Sequence, residues 1–223
     1  MNNRSAPSLV NVRSYAGMLV FCLLCCLSTA AAATAEPPAA TTARSALESI
    51  AVRMVAALQD PGVRQNERQL EQLVRTELVP HIDFRVSANL VLGPHWNDAS
   101  EAQRDAFIEE FRAFLVRFYT SALASHVDSK EIPVDIMSFR DEPRVKDPRQ
   151  VFVRSYVTQA DGAEVAVEYR MFWHDSWKVI DVSVAGISMV QNYRSNFTTT
   201  VKQHGIDTLI AQLQERNRSF ATN

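Results

Sequence analysis

Cysteine is confined to the first 26 residues of this chain: Cys22, Cys25 and Cys26 are its only three. Everything after them folds without a disulfide, a thiol nucleophile or a Cys-ligated metal, and must rest on a hydrophobic core. The five histidines (His81, His95, His126, His174 and His204) include no pair at the spacing of a helical metal site, and no H-E-x-x-H occurs. There is no G-x-S-x-G elbow, no P-loop and no G-x-G-x-x-G. Basic residues are not in excess, with 23 Lys+Arg against 25 Asp+Glu. That balance argues against nucleic acid as a partner and against a broad basic membrane-binding face. The apolar block Tyr15–Leu27 is short of the ~20 residues that span a bilayer. No internal repeat and no low-complexity tract occur past the N-terminal region.

What is present begins with a leader. Arg4 and Arg13 precede the apolar block, small residues follow it, and Ala33-Thr34-Ala35 before Glu36 fits an A-x-A cleavage site. Residues 1–35 therefore read as a cleaved secretory signal peptide. None of the three cysteines follows the small residue that lipidation favours, which disfavours a lipoprotein. Cleavage leaves 188 of the 223 residues, enough for one domain with a substantial core. Losing two arginines moves the net charge from −2 to −4. Residues 36–44, rich in Pro and Ala, read as a flexible lead-in, residues 45–216 as the domain, and residues 217–223 as a frayed tail.

Helical patterns cover Ser45–Gln59, Asn66–Leu78, Phe84–Leu92 and a long stretch to His126 that opens with the capping box Ser100-Glu101-Ala102-Gln103. The period then changes. Ile132–Phe139, Val151–Thr158, Glu164–Trp173 and Trp177–Val184 read as strands, with Asp161-Gly162 and His174-Asp175-Ser176 as turns of an antiparallel meander. Ser188–Gln203 and Ile206–Glu215 read as closing helices with Gly205 between them. The expected fold is α+β, an antiparallel sheet of four strands or slightly more wrapped by helices from both ends.

Phe107, Phe111, Phe114 and Phe118 form one helical stripe flanked by Leu115 and Tyr119. In the third strand Val165, Val167, Tyr169, Met171 and Trp173 alternate onto one face. Such a helix on such a sheet is either a filled core or the two walls of an apolar pocket, and periodicity does not separate the two. His81 and Asp83, two apart, could form an acid–base pair, but Asp83 reads better as the cap of the following helix. Asp181 falls on a face with Trp177 and Val179, where a carboxylate needs a partner. It is expected in an ion pair with Arg194 or in amide capping rather than in catalysis.

The segment WKVIDVSVAGISMVQNYRSNF, Trp177–Phe197, resembles the signature of the MlaC (toluene-tolerance) family. Trp177, Lys178, Asp181, Val182, Gly186, Ser188, Asn192, Tyr193, Arg194 and Phe197 match its pattern, and Ser176 stands where a Gly is common. HIDF, VLGPHW, SEAQRDAFIEEFRAFLVRFY and GIDTLIAQL resemble the family's helical half, so the likeness spans roughly Ser45 to Glu215. The resemblance implies a periplasmic, non-catalytic phospholipid carrier on a partly NTF2-like fold, with an apolar pocket between sheet and helices. It implies no cofactor, with phospholipid as cargo. Its implied partners are an inner-membrane MCE-domain ABC transporter complex and an outer-membrane lipoprotein–porin complex, in a pathway that maintains outer-membrane lipid asymmetry. The chain is expected to act as a monomer. Strand alternation and the helical stripe then nominate Val91, Leu92, Phe111, Leu115, Tyr119, Val167, Tyr169, Met171, Trp173 and Val179 as lipid-lining. Asp181, Gly186, Tyr193 and Arg194 are expected to be structural: Gly186 permits the turn after the strand, and the Tyr193–Arg194 helix braces the sheet. Catalytic and metal residues are expected to be absent. A hopanoid-associated carrier of the same family, an enzyme on an NTF2-like fold and a structural adaptor are the rival readings.

Overall fold

The computed structural model describes residues 37–127, 132–159 and 161–221, and the expected leader lies outside them. Helix α1 spans Ala40–Ala57 and begins inside the expected flexible lead-in. Burial accounts for the early start. Ala43, Leu47 and Ile50 are buried, and Thr42 Oγ1 accepts a 2.9 Å bond from Trp177 Nε1. Helix α2 (Pro61–Arg64) is capped by Asp60 and α3 (Glu67–Leu73) by Asn66. The single helix expected over Asn66–Leu78 changes winding after Leu73, into a π turn at Val74–Leu78 and a 3-10 turn at Val79–His81. Pro80 cannot donate a helical N–H, so the regular ladder has to end there.

Helix α4 (Phe84–Leu92) follows, then α5 (His95–Asp98) and α6 (Glu101–Val127). The capping box that opens α6 is reciprocal: Gln103 N donates to Ser100 Oγ at 3.2 Å, and Ser100 N donates to Gln103 Oε1 at 3.0 Å.

The described sheet has six strands: β1 (Met137–Ser138), β2 (Arg144–Asp147), β3 (Gln150–Thr158), β4 (Glu164–Trp173), β5 (Trp177–Val184) and β6 (Ile187–Ser188). They pair antiparallel in the order β1-β3-β4-β5-β6, with β2 also on β3. The strand expected over Ile132–Phe139 shrinks to β1. Ile132 is instead buried against Leu58, Leu70 and Leu73. Helices α7 (Met189–His204) and α8 (Ile206–Ala221) close the fold. The frayed tail expected from residue 217 is helical through Ala221. Asn217 is buried, and its Nδ2 donates to the Glu110 carbonyl at 3.0 Å and to Glu110 Oε2 at 2.8 Å.

Two large hydrophobic clusters result. One is helical: Phe84, Val91, Leu92, Phe107, Phe111 and Phe114 with residues of α7 and α8. The other lays Ala43, Leu47 and Ile50 of α1 on Val151, Val153, Met171, Trp177 and Val179 of the sheet. Ile82 packs against both. The opposite sheet face mixes charge with aromatic rings: Glu168 is held by Arg144 at 3.2 Å and Arg154 at 3.0 Å, and Arg144 and Arg149 lie over Phe152 and Phe172.

Candidate functional site

The exit from β5 is a two-residue hairpin loop. Val184 pairs with Ile187 and Ser183 with Ser188, while Ala185 and Gly186 hold φ at 50° and 83°. Positive φ at both loop positions is the pattern of a type I′ turn, so Gly186 serves the turn as expected. Ser188 then caps α7: its Oγ accepts from Gln191 N at 3.1 Å and donates to Asp181 Oδ2 at 2.6 Å. Asp181 Oδ1 accepts from Val190 N at 3.0 Å. Of the two roles expected for Asp181, the structure has amide capping and not the ion pair with Arg194.

The face assigned to Asp181 is also corrected. Met171 pairs with Val179, but Arg170 pairs with Asp181 and Tyr169 with Val182. The register shift leaves Ile180 as the extra residue of a bulge, and alternation breaks between Val179 and Asp181.

Arg194 donates from Nε (2.7 Å) and from Nη2 to the Leu90 carbonyl near the end of α4. Gly93, at φ 56°, lies beneath that guanidinium, and a Cβ there would sit 3.5 Å from Arg194 Nε. The Tyr193 ring packs on Phe111, Phe114 and Phe197, each at a centroid distance of 5.7 Å. The contacts of both residues tie α7 to α4 and α6, while the helix meets the sheet at its N-terminal end, where Val190 N donates to Asp181 of β5.

Beside Asp83 lies a groove of about 630 Å³ whose lining includes Ile82, Asp83, Arg85, Asp105, Arg112 and Lys178, but not His81. Several of its polar groups are engaged. Asp83 Oδ1 accepts from Val86 N at 2.9 Å as the cap of α4. Arg85 reaches Glu101 at 2.5 Å and Asp105 at 3.1 Å, and Lys178 Nζ donates to the Pro80 carbonyl at 2.6 Å. Burial, then Lys178 and Arg53, push the His81 imidazole below its ordinary value, so it is neutral at pH 7. No residue nominated for lipid lines this groove.

The ten nominated residues divide by burial. Val91, Leu92 and Phe111 are fully inside the helical cluster, and Met171 and Val179 lie inside the sheet cluster. Trp173 packs on Trp177, 5.5 Å between centroids, in that second cluster. Leu115, Tyr119, Val167 and Tyr169 are half-buried, and these four mark the seam between the two clusters. Leu115 borders the helical cluster and Tyr169 the sheet cluster. Val167 is two residues from Tyr169 on the same face of β4. Tyr119, one turn beyond Leu115, has its phenol pushed up by burial, then by the neighbouring Tyr193, Asp181 and Tyr169. Burial likewise raises Tyr169, against a bond from Ser155 that lowers it. It raises Tyr193, with Arg216 acting in the opposite sense. All three phenols therefore stay neutral at physiological pH. Asp181, the carboxylate beside them, is bound into the α7 cap. Such a seam offers apolar surface and hydroxyl groups. Among the described residues there is no cluster of His, Cys, Asp and Glu that could hold a metal.

Val182 and Tyr193 join this seam but were not nominated for lipid. Val182 packs against the sheet cluster opposite Tyr169, a placement hidden by the bulge.

An antiparallel sheet with helices over one face and an uncharged seam between them is an α+β ligand-binding architecture. The comparisons place the chain within it. Residues 48–215 match the family model of the MlaC protein, and the chain belongs to the MlaC family. It is 27% identical over 158 residues to an intermembrane phospholipid transport system binding protein MlaC from Haemophilus influenzae, covering 69% of this chain and 71% of that one. It also resembles the solved structure of a phospholipid-binding protein from Ralstonia solanacearum in complex with a phospholipid. The TM-score is 0.69 at 28% identity, over 80% of this chain and 98% of that one.

Proposed function

We propose that this protein is a periplasmic phospholipid carrier that shuttles lipid between the outer and inner membranes. The supporting observation is the uncharged, half-buried seam between sheet and helices, in a chain whose relatives are described by the phospholipid they bind or transport. Two acyl chains of about sixteen carbons, at ~0.8 kcal/mol per buried CH₂, put on the order of 25 kcal/mol of transfer energy in play. A lipid monomer does not cross water against that cost. A protein seam supplies apolar cover and needs no reactive group, so the protein acts as a carrier and not an enzyme, with phospholipid as cargo and no cofactor.

Leu115, Tyr119, Val167 and Tyr169 line the seam. Val91, Leu92, Phe111, Met171 and Val179 back it from the two cores and meet lipid only where helices and sheet part. Residues 1–35 act as the export leader. Delivery and uptake occur at an inner-membrane MCE-domain ABC transporter complex and an outer-membrane lipoprotein–porin complex, and the direction of transport is set there.

Native mass spectrometry with lipid extraction tests this reading. Protein purified from a bacterial periplasm is expected to carry phospholipid mass. A polycyclic mass would keep the carrier and change its cargo to a hopanoid. Protein that stays lipid-free after incubation with phospholipid vesicles would contradict the proposal.

A further inference from the structure

We infer that the cross-strand row Val167–Val184–Ile187 is the mouth of the seam, the place where phospholipid acyl chains enter and leave. The inference rests on the carrier reading above. Val167 pairs with Val184, and Val184 pairs with Ile187, so the three side chains stand on one face, which is the face of Tyr169 and Val182. Exposure climbs along the row. Ser155, opposite Val167 on β3, is fully buried, Val167 is half-buried, Val184 is 39% exposed and Ile187 is 62% exposed. The apolar floor thus runs from under the helices out to β6, the last strand in the sheet order, over two inter-strand spacings or about 10 Å.

Edge strands usually carry charge or proline, yet residues 182–193 contain no charged side chain. Two polar groups at the hairpin are occupied. Ala185 N–H donates to the Ala166 carbonyl at 3.0 Å, and the Ser188 hydroxyl is bound to Asp181. An apolar, uncharged edge suits an acyl chain lying across it. Val184 and Ile187 offer far less apolar surface than one myristoyl chain, which itself holds a membrane only marginally. The row is therefore fitted to pass a lipid tail and not to anchor the protein.

The test is the rate of transfer of a fluorescent phospholipid from vesicles of phosphatidylethanolamine and phosphatidylglycerol, read beside end-point occupancy and vesicle flotation. The variants are Ile187→Glu, Ile187→Ser and Ile187→Leu, with Val52→Glu as the control. Val52 is 68% exposed on α1, beside Arg53. A charge in the mouth raises the barrier for entry and exit alike, so Ile187→Glu is expected to slow transfer by about tenfold or more while occupancy stays within about twofold. Ile187→Ser should fall between it and the wild type, and Ile187→Leu and Val52→Glu should transfer at the wild-type rate. Wild-type transfer by Ile187→Glu, or equal slowing by Val52→Glu, would overturn the mouth. Loss of vesicle flotation in step with the rate would also overturn it and make the row a bilayer-docking surface. A wild type that takes up no phospholipid would instead overturn the carrier reading, and the mouth with it.

Discussion

At the scale of single residues, Asp181 and Ala185 set the geometry of the segment that joins sheet to helices. Asp181 accepts from the Val190 N–H and the Ser188 hydroxyl, two donors at the start of α7. Asp181→Ala leaves both without that acceptor and should cost about 1–2 kcal/mol, read as a lower Tm. Asp181→Asn keeps one acceptor oxygen, should fall between, and should retain wild-type phospholipid occupancy, because a capping carboxylate does no chemistry on the cargo. Ala185 is the one non-glycine residue at positive φ among those described. A left-handed L-residue is strained by about 1–2 kcal/mol, and asparagine relieves part of that by bonding locally. Ala185→Asn is expected to raise Tm by a few degrees in a thermal melt (~2–3 °C).

At the scale of elements, α7 is the joint of the molecule. Tyr193 stacks into the Phe111–Phe114–Phe197 cluster, and Arg194 holds the end of α4. Tyr193→Ala removes a ring with three aromatic neighbours and should cost about 2–4 kcal/mol in chemical denaturation, whereas Tyr193→Phe should be nearly neutral. Elements fixed by local chemistry were legible in the sequence. Asp83 and the Ser100–Gln103 pair cap the helices expected of them, because a cap acts within three or four residues. Strand β2 was not legible, since Arg144, Val145, Lys146 and Asp147 are all exposed and carry no buried face to set a period. The bulge at Ile180 escaped for another reason: it is fixed by pairing with β4, not by the residues of β5. That bulge moved Asp181 off its expected face and hid Val182 from the candidate site. Helix α1 started early because Ala43 meets the sheet, a long-range contact with no local signature.

At the scale of the whole molecule, two hydrophobic cores meet along a seam that holds three neutral phenols and no free carboxylate. Periodicity placed Phe111, Leu115 and Tyr119 on one helix face and Val167, Tyr169 and Met171 on one strand face. Which of them are sealed in a core depends on what lies opposite, and α1 covers Met171 while leaving Val167 half open. The phenols also predict an alkaline limit. Burial raises Tyr119, Tyr169 and Tyr193, so the folded state keeps these protons after the unfolded chain has lost them. Below about pH 10 both states are neutral and the three groups leave stability flat. Above it the unfolded chain ionises first, and stability should fall as pH rises toward the raised values. Tyr119→Phe should reduce that alkaline loss, measured by denaturation midpoints across the range. The central claim, that phospholipid lies in the seam between sheet and helices, is tested most directly by photo-crosslinking with a phospholipid bearing a diazirine in its acyl chain, followed by peptide mapping. Labelling is expected on Leu115–Tyr119 of α6 and Val167–Tyr169 of β4. Labelling confined to the groove between Ile82 and Arg112, or no labelling of a folded protein, would contradict it.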